Sequence, residues 1–592
     1  MVKITRENVV IMNIWISEGL FSQTMTSLYP VSSKTITGVK WGYMNPRGKI
    51  QIKQIYDQAM EFQTNGLAVV GLDGKYGLIN HVGNFVVYPI YDSISEFSEG
   101  RAQVIDEKGF KVIDASGKVL TSKAYSYIGS FENGRALFGE TLDDGQYLYG
   151  YLDRQGKEIV PATFLTANDF QNDKAVVQFP SKEYALINRN GKVLHKYPYP
   201  FVGKLGEGLL AFKETEDGKF GYIDVKGTVV IPPKFTSAMP FEHGRAIVNM
   251  AEDYRDEYGL IDKEGNFIYP PIYNDIHHLG KNRIAIGMAI KEGSPFYGSN
   301  YALGTTDGTV LTEFKYLTIL EFKEGVASAT TGKETYFINK LGKMAKGLPV
   351  VNGEGTLTLE GNLIKANIDQ RITYYDRSGN IVWRQNKIIP ISQRYKVIEK
   401  KYKPNKDYLV YYPQIDGMSD INAQQKVNEE LKRLSQVKPI QPDIQLDSSY
   451  TGDFSIKFYK DQLLVIEIEG YDYPFGAAHG MPYRVYAHIN LINGEIYKLE
   501  DLFKKDSDYV KVISDIIAKQ IKEDEQYSYV FPDSYKGIRA DQPFYVDNDT
   551  LYIYFEPYEI GPYAAGFPTF KIPFNEIIDI INTQGEFWKS FH

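Results

Sequence analysis

One histidine, His479, stands in a setting that could support catalysis or metal binding. Three carboxylates lie near it in the chain, at Glu467, Glu469 and Asp472, and such a set can bind a metal ion or transfer protons. A histidine between small residues and glycine is more often a loop residue bonded to backbone, and no His-x-x-x-His, Glu-x-x-His or Gly-x-Ser-x-Gly pattern accompanies it. We therefore expect no catalytic residue, no metal ligand and no cofactor. A glycan-acting hydrolase that uses the His479 loop is kept as an alternative.

Two aromatic segments near the C-terminus form the predicted ligand-binding site. Tyrosine offers a flat apolar face and a polar tip, which suits protein interfaces and stacking on sugar rings. Proline and glycine around these residues favour exposed loops, where binding residues concentrate. The alternative is that the rings pack the core of their domain. The predicted ligand-binding residues are Tyr471, Tyr473, Phe475, His479, Tyr558, Glu559 and Tyr563.

A pair of carboxylates, Glu556 and Glu559, could suggest glycoside hydrolysis. The two residues are separated by Pro557 and Tyr558, so no regular helix would place them on one face. Hydrolysis by paired carboxylates also needs a cleft that holds both at a set separation. The sequence therefore favours binding over hydrolysis.

The composition limits the function classes further. Of 592 residues, 66 are Lys or Arg and 74 are Asp or Glu, and the net charge of −8 argues against binding to a nucleic-acid backbone. Cysteine is absent, which excludes a disulfide framework, a thiolate metal site and a cysteine nucleophile. The 46 tyrosines, 32 phenylalanines and 52 glycines predict many short β-strands separated by tight turns.

Turn glycines recur at a nearly constant spacing of 34 to 43 residues over most of the chain. Asn or Asp stands three positions before the glycine in nine of the ten cases. This is the chemistry of a type I turn, in which the side chain caps the N–H groups of the turn and glycine accepts positive φ. The ten glycines are Gly48, Gly83, Gly117, Gly156, Gly191, Gly227, Gly265, Gly308, Gly342 and Gly379.

Two aromatic positions flank each of the first eight turns. One lies seven positions before the glycine, is followed by Gly or Ala in seven of eight cases, and begins a strand; the other lies eight positions after the glycine. We expect the rings in the core, with the small residue allowing a neighbouring ring or backbone to approach closely. Each unit has about three short antiparallel strands and cannot bury its own apolar face, so neighbouring units must stack.

Segments 40–48 and 219–227, which read KWGYMNPRG and KFGYIDVKG, resemble the WG-repeat (KWG) family of bacterial proteins. The resemblance implies a mainly β tandem-repeat array with a binding or scaffolding role and no catalytic residues. About ten units with three recognisable strands fit a ring of four to eight four-stranded blades badly. An open curved array is therefore favoured, with a propeller-like ring as the alternative. The last two units lose both aromatic positions, as capping units of an open array would.

The repeat period stops near Trp383, and a smaller α+β domain is predicted to follow. Helices are expected near 420–434, with Asp420 as the cap, and after Ser507. Segments 471–480 and 554–566 resemble the extracytoplasmic domain shared by the lysozyme-sensing anti-sigma factor RsiV and certain peptidoglycan deacetylases. That resemblance implies an accessory or ligand-sensing module. The predicted organisation is an N-terminal segment (1–39), the repeat array (40–390) and the RsiV-like domain (395–592).

Together these features predict a non-enzymatic binding or scaffold protein of the bacterial cell envelope. Its C-terminal domain would bind a protein, a lysozyme-like one included, or a cell-wall glycan. The N-terminus offers no clear secretory signal, because no small-residue cleavage site follows its short apolar run. No stretch reaches the roughly 18 to 20 apolar residues of a membrane-spanning helix. An intracellular protein-interaction scaffold is therefore the alternative to the envelope location.

Overall fold

The computed structural model describes residues 27–592 except 144, 254 and 443. Within this part of the chain, ten small antiparallel sheets follow one another in sequence order, and an α+β domain comes after them. Most of the predicted N-terminal segment, with its apolar run, lies outside the described residues. Its last residues belong to the first sheet, which begins at Tyr29.

The first five sheets have three or four strands each, joined as meanders. Their strands are Tyr29–Thr35, Gly38–Met44 and Ile50–Tyr56 (sheet 1); Gln58–Ala59, Leu67–Leu72, Lys75–Asn80 and Phe85–Tyr91 (sheet 2); Ser93–Ile94, Arg101–Asp106 and Gly109–Asp114 (sheet 3); Tyr127–Ile128, Arg135–Thr141, Tyr147–Asp153 and Glu158–Phe164 (sheet 4); Thr166–Ala167, Lys174–Gln178, Tyr184–Asn188 and Val193–Tyr197 (sheet 5).

The next five sheets repeat this plan. Their strands are Phe201–Gly206, Leu209–Lys213, Phe220–Asp224 and Val229–Phe235 (sheet 6); Ser237–Ala238, Ala246–Asn249, Tyr258–Ile261 and Phe267–Tyr273 (sheet 7); Asp275–Gly280, Arg283–Ala289 and Ser299–Thr305 (sheet 8); Thr318–Ile319, Val326–Thr330, Glu334–Asn339 and Val350–Asn352 (sheet 9); Gly355–Glu360, Leu363–Ile368, Arg371–Asp376 and Ile381–Arg384 (sheet 10).

The predicted turn is present in every unit, and sheet 6 shows its geometry. Oδ1 of Asp224 accepts hydrogen bonds from the N–H groups of Lys226 (2.8 Å) and Thr228 (2.9 Å). The N–H of Gly227 donates to the carbonyl of Asp224 at 3.0 Å, and Gly227 has a φ of +81°. The equivalent Asn, Asp or Thr side chain accepts from the backbone four residues on in all ten units. The type I turn prediction is confirmed.

The two aromatic positions of a unit are cross-strand partners. In sheet 6, Phe220 lies opposite Phe235, and a Cβ added to Gly221 would lie 2.4 Å from the carbonyl oxygen of Ile231. The predicted close approach of backbone at the small residue is therefore confirmed. The second ring is buried, as expected, whereas the first is half-buried in most units. In sheet 5 the register shifts, and Tyr184 pairs with Tyr197 in place of the predicted Tyr199.

The sequence units and the sheets are out of phase. The unit that begins at Tyr76 supplies the last two strands of sheet 2 and then the first two strands of sheet 3. Each unit is therefore shared between two sheets, which ties neighbouring sheets together through the chain itself.

In several units, the turn and strand that follow the second aromatic position add a polar contact between neighbouring sheets. Nε of Arg135 in sheet 4 donates to the carbonyl of Arg189 in the turn of sheet 5 at 2.9 Å. The equivalent arginines donate in the same way, each through its Nε to a carbonyl in the turn of the next sheet; they are Arg101, Arg245 and Arg283. Glu99 adds a second contact in sheet 3, since its Oε2 accepts from the N–H of Gly134 at 2.9 Å.

Ten apolar clusters join the ten sheets in a cycle. Nine of them link each sheet to the next along the chain, and the tenth packs Tyr29 and Met44 of sheet 1 against Leu363 and Tyr374 of sheet 10. The hydroxyl of Tyr374 also donates to the carbonyl of Pro30 at 3.1 Å. The sheets thus form a closed, propeller-like ring.

The repeat array is confirmed, and of the two expected arrangements these contacts show the ring and not the open curve. Sheets 1 and 10 each have an apolar face that needs cover, and closure lets each sheet cover the other. The degenerate units at Gly342 and Gly379 accordingly form sheets 9 and 10 of the ring and do not act as caps.

The C-terminal domain is built on a seven-stranded sheet whose strand order follows the chain. One of its six strand pairs is parallel and the others are antiparallel. The strands are Ile388–Pro390, Lys396–Asn405, Tyr408–Asp416, Ser448–Lys460, Leu463–Pro474, Met481–Asn490 and Ile496–Tyr497. The first strand shows that this sheet already begins at residue 388.

Helices cover both faces of this sheet. Helix α1 (Ile421–Leu434), with Asp420 accepting from the N–H groups of its first turn as predicted, packs on one face. Helix α2 (Tyr509–Glu523) and a three-stranded sheet (Phe544–Val546, Thr550–Tyr554 and Thr569–Pro573) pack on the other. Short helices α3 (Phe574–Ile577) and α4 (Glu586–Lys589) and 3-10 turns at Pro295–Tyr297, Leu499–Leu502, Glu525–Tyr527 and Tyr563–Ala565 complete the helical elements of the described residues.

The C-terminal domain binds the ring at the seam where sheet 1 meets sheet 10. Lys34 of sheet 1 contacts Glu399 and Asp453 at 2.8 Å each, and Arg371 of sheet 10 contacts the same two carboxylates at 2.9 and 2.8 Å. The Glu399 side chain is 3% exposed. Two cations and two carboxylates therefore balance in a largely buried group, which we call the seam charge cluster. Removing one member would leave a buried charge without a partner.

Candidate functional site

Two loops at one edge of the C-terminal domain carry the predicted site. The first, 475–480, joins the strands Leu463–Pro474 and Met481–Asn490. The second, 555–568, joins the strands Thr550–Tyr554 and Thr569–Pro573 of the smaller sheet. The loops are about 80 residues apart in sequence and meet in space, because the two sheets pack face to face.

His479 lies at the meeting point of the two loops. Its ring stacks on Tyr563 with a centroid distance of 4.1 Å, its Nε2 is 3.0 Å from the hydroxyl of Tyr558, and its Nδ1 is 3.0 Å from the carbonyl oxygen of Gly480. Since a carbonyl oxygen only accepts, Nδ1 donates to Gly480, and Nε2 forms a hydrogen bond with the Tyr558 hydroxyl. Both ring nitrogens are therefore occupied.

Gly480 holds the remaining tyrosines in place. Its N–H donates to the hydroxyl oxygen of Tyr471, and its carbonyl accepts from the hydroxyl of Tyr563, both at 2.9 Å. A hydrogen bond with Tyr471 raises the pKa of the Tyr563 phenol. A Cβ at residue 480 would lie 2.4 Å from the carbonyl oxygen of Asp472, so only glycine fits there. We call Tyr471, His479, Tyr558 and Tyr563 the tyrosine–histidine cluster.

The cluster is exposed and its backbone is held in an unusual conformation. Tyr558 is 51% exposed and has a φ of +69°, a conformation that costs a non-glycine residue about 1–2 kcal/mol. Glu559 supports this turn, since Arg539 donates to its Oε1 at 2.7 Å and its Oε2 accepts from the N–H of Glu556 at 2.9 Å. Glu559 is thus engaged within the domain and positions Tyr558.

The other two predicted residues lie beside the cluster. The hydroxyl of Tyr473 donates to the carbonyl of Ala477 at 2.9 Å and so shapes the first loop. The ring of Phe475 lies 5.3 Å from that of Tyr297, which belongs to the connection inside sheet 8. Phe475 is therefore placed at the contact between the two domains. The structure brings four of the seven predicted residues together, and the other three surround them.

Two of the three carboxylates close to His479 in sequence have other partners. Glu467 accepts from the hydroxyl of Tyr486 at 2.6 Å, and Glu469 accepts from Arg484 at 2.6 Å. No group of three or more His, Asp or Glu residues that could hold a metal ion occurs among the described residues. The arrangement of His479 suits it to shape an aromatic surface.

Sequence reasoning missed Arg484 and Arg539, the cations that engage the carboxylates of this region. For Arg484 a signal was present, because Glu467 and Glu469 alternate on one strand and Arg484 faces them from its neighbour. Arg539 comes from a separate segment without regular secondary structure, and no local pattern indicates its contact with Glu559.

A cavity of about 610 Å³ lies in the same domain. Tyr483, Phe544 and Tyr554 form part of its wall, and Glu556 contributes its carboxyl group. Burial, together with the nearby Glu559, raises the pKa of the Glu556 carboxyl. The four residues of the tyrosine–histidine cluster are not part of its lining.

Comparison with protein families agrees with this architecture. Residues 41–76, 76–107, 112–139, 149–179, 220–252 and 258–286 match the model described as "WG containing repeat". WG-containing repeats thus lie across residues 41–286 of the ring. Residues 500–575 match the family described as "Protein of unknown function (DUF3298)", so the C-terminal domain contains a DUF3298 domain that includes Tyr558, Glu559 and Tyr563. The finer RsiV-like assignment stays a prediction.

Several solved structures are similar to parts of the chain. A DUF3298 family member from Bacteroides fragilis shares 18% identity (TM-score 0.25, covering 32% of this chain and 93% of that one). A DUF3298 family protein from Pseudomonas aeruginosa shares 16% (TM-score 0.26, 32% and 94%), and BamB from Moraxella catarrhalis shares 13% (TM-score 0.26, 55% and 97%). No curated protein matches the sequence. Among the described helices, none is both long and apolar enough to cross a membrane.

Proposed function

We propose that this WG-repeat protein is a non-enzymatic binding protein of the bacterial cell envelope. The ring serves as the scaffold, and the C-terminal domain binds a protein or glycan ligand through the tyrosine–histidine cluster. The observation that carries the proposal is that three rings from two separate loops meet Tyr471 of the adjoining strand at the surface, with Tyr558 half exposed.

The construction of the cluster supports binding. Hydrogen bonds from Gly480 and the ion pair of Glu559 with Arg539 fix the loops before any ligand arrives. A fixed aromatic surface loses little conformational entropy on association, which is why such rings act as anchors in protein interfaces. Tyrosine faces also stack on sugar rings while their hydroxyls bond to the sugar, so both ligand classes suit the site.

The same contacts favour binding over hydrolysis by the His479 loop. Both nitrogens of His479 are bonded within the cluster, so the ring would have to release Tyr558 before its Nε2 could take a proton from a substrate. Glu559, the carboxylate of this loop that could assist, is held by Arg539. The envelope location rests on the resemblance of segments 471–480 and 554–566 to a sensing domain.

The test is a pull-down of the full chain on peptidoglycan sacculi and on lysozyme-coupled beads. We expect the wild-type chain to bind one of the two, and Tyr558→Ala and Tyr563→Ala to weaken binding by about 1–3 kcal/mol each, the usual range for an aromatic anchor. Tyr88→Ala is the matched control, because Tyr88 is 70% exposed on sheet 2 of the ring.

Two results would contradict the proposal. Equal retention of wild type, Tyr558→Ala and Tyr563→Ala would remove the cluster from the binding surface. Release of soluble sugar or peptide fragments from the sacculi by the wild-type chain, lost in His479→Ala, would replace the binding protein with a hydrolase.

A further inference from the structure

A second cavity, of about 830 Å³, lies between the ring and the C-terminal domain, away from the tyrosine–histidine cluster. The ring contributes the turn that follows Val326–Thr330 and the end of Leu363–Ile368. The C-terminal domain contributes the hairpin around residues 401–406 together with Pro442, Ile444 and Gln445. Neither domain alone forms this cleft.

Lysines dominate the charge of the cleft lining. Lys333 reaches it from the ring, and Lys401, Lys403 and Lys406 reach it from the C-terminal domain; Asp369 is the acidic residue that lines it with them. This excess of cations stands out in a chain whose net charge is −8. Positive charge on both walls suits a ligand that carries more than one negative group.

The carboxylates that partner these lysines lie behind them. Asp369 accepts from both Lys401 and Lys403, and its side chain is 1% exposed, whereas that of Lys401 is 40% exposed. Burial acts to raise the pKa of the Asp369 carboxyl, but the hydrogen bonds from the two lysines outweigh burial and lower it. Glu354 also contacts Lys403, at 3.2 Å, and Asp407 contacts Lys406 at 2.8 Å, so three carboxylates partner three of the four lysines. Lys333 has no carboxylate partner among the described residues.

The cleft also contains an acceptor that lacks a donor. Oε1 of Gln445 is buried and has no hydrogen-bond partner, while its Nε2 donates to Asp407 at 2.9 Å. An unpaired buried acceptor is costly unless a hydroxyl or water bonds to it. The lining therefore matches anionic groups through its lysines and a hydroxyl group through Gln445.

We infer that this cleft binds a phosphorylated sugar or polyol, with its phosphates on the lysines of the two walls and a hydroxyl on Gln445. Such a ligand would touch both domains at once. This site is independent of the tyrosine–histidine cluster and would add a small anionic ligand to the proposed protein or glycan partner.

Isothermal titration of the full chain with fructose 1,6-bisphosphate tests the inference, with fructose as the uncharged comparison. We expect binding of the bisphosphate at low salt, weaker binding as salt is raised, and none of fructose. Lys333→Gln removes an exposed cation without a partner, so the fold should be kept while affinity falls about tenfold. Lys401→Gln should act in the same direction, since Asp369 keeps Lys403.

Lys118→Gln is the matched control, an exposed lysine in a turn of sheet 3, and its affinity should equal that of the wild type. The inference is overturned if the bisphosphate does not bind the wild-type chain at low salt. It is equally overturned if Lys333→Gln and Lys401→Gln bind as tightly as Lys118→Gln.

Discussion

His488 is a buried histidine that the fold keeps neutral. Its side chain stacks in parallel on Phe544 with a centroid distance of 4.2 Å, and neither ring nitrogen has a hydrogen-bond partner. Burial lowers the pKa of His488 to about 3. Because an unfolded histidine titrates near 6.5, the native state binds fewer protons than the unfolded state between these values.

A pH dependence of stability follows from this residue. The contribution of neutral His488 is fully present above about pH 6.5 and is lost as the pH falls toward 3, at about 1.4 kcal/mol for each pH unit. His488→Phe keeps a stacking ring and removes the titration, so its acid-unfolding midpoint should lie at lower pH than that of the wild type. Urea unfolding at pH 7, 6 and 5 measures the difference.

The control for this prediction is His243→Phe, because His243 is exposed in a turn of the ring. We expect the stability advantage of His488→Phe over wild type to grow as the pH falls, and that of His243→Phe to stay constant. An advantage of His488→Phe that is independent of pH would show that His488 is not the titrating group.

At the residue scale, part of the candidate site could be predicted from the sequence. The aromatic residues of segments 471–480 and 554–566 were recognisable by type, and the structure places four of the predicted residues in one cluster. Phe475 could not be placed, because its neighbour Tyr297 lies in the ring, 178 residues earlier in the chain. A contact between domains leaves no local pattern.

At the element scale, the turn in each unit is the most regular feature. Gly227 has a φ of +81°. A β-branched residue would adopt this left-handed conformation at a cost of about 1–2 kcal/mol or more. A Cβ at this position would lie 3.3 Å from Nε2 of His195, a tight contact that a small shift of the histidine side chain would have to relieve. The expected penalty therefore combines backbone strain with this contact.

Gly227→Val should lower the free energy of unfolding by about 2 kcal/mol or more, measured by denaturant titration. Lys226→Val places the same side chain one residue earlier, at an exposed position with ordinary φ, and should change stability little. If the two variants unfold at the same denaturant concentration, glycine is not required for this turn.

The sequence predicted these turns well because their contacts span only four residues. The Asn or Asp cap, the glycine and the strand that follows all lie in one segment, so residue types alone indicate the geometry. The phase between units and sheets was harder to predict. A unit starts in one sheet and ends in the next, and strand pairing across that step depends on neighbouring units.

At the scale of the whole molecule, closure of the ring explains the position of the C-terminal domain. The seam charge cluster joins Lys34 of the first sheet and Arg371 of the last sheet through two carboxylates of that domain. The domain therefore covers the one junction of the ring that no chain connection crosses. Sequence alone did not indicate this position of the domain, because Lys34 and Arg371 are more than 300 residues apart in the chain.

Closure of the ring also brings together the two cations, Lys34 and Arg371, through which the C-terminal domain is attached. An ion pair across the seam region offers a test without any mutation: Lys365 of sheet 10 lies 2.5 Å from Glu61, 304 residues away. Lys75 and Asp92 form an ion pair of the same length between residues close in sequence, and they serve as the internal control.

Zero-length carbodiimide cross-linking, followed by mass spectrometry of the monomer band, measures both pairs at once. The closed ring predicts a peptide linked through Glu61 and Lys365 as well as one linked through Lys75 and Asp92. Recovery of the Lys75–Asp92 link without any Glu61–Lys365 link would contradict closure and return the array to an open curve.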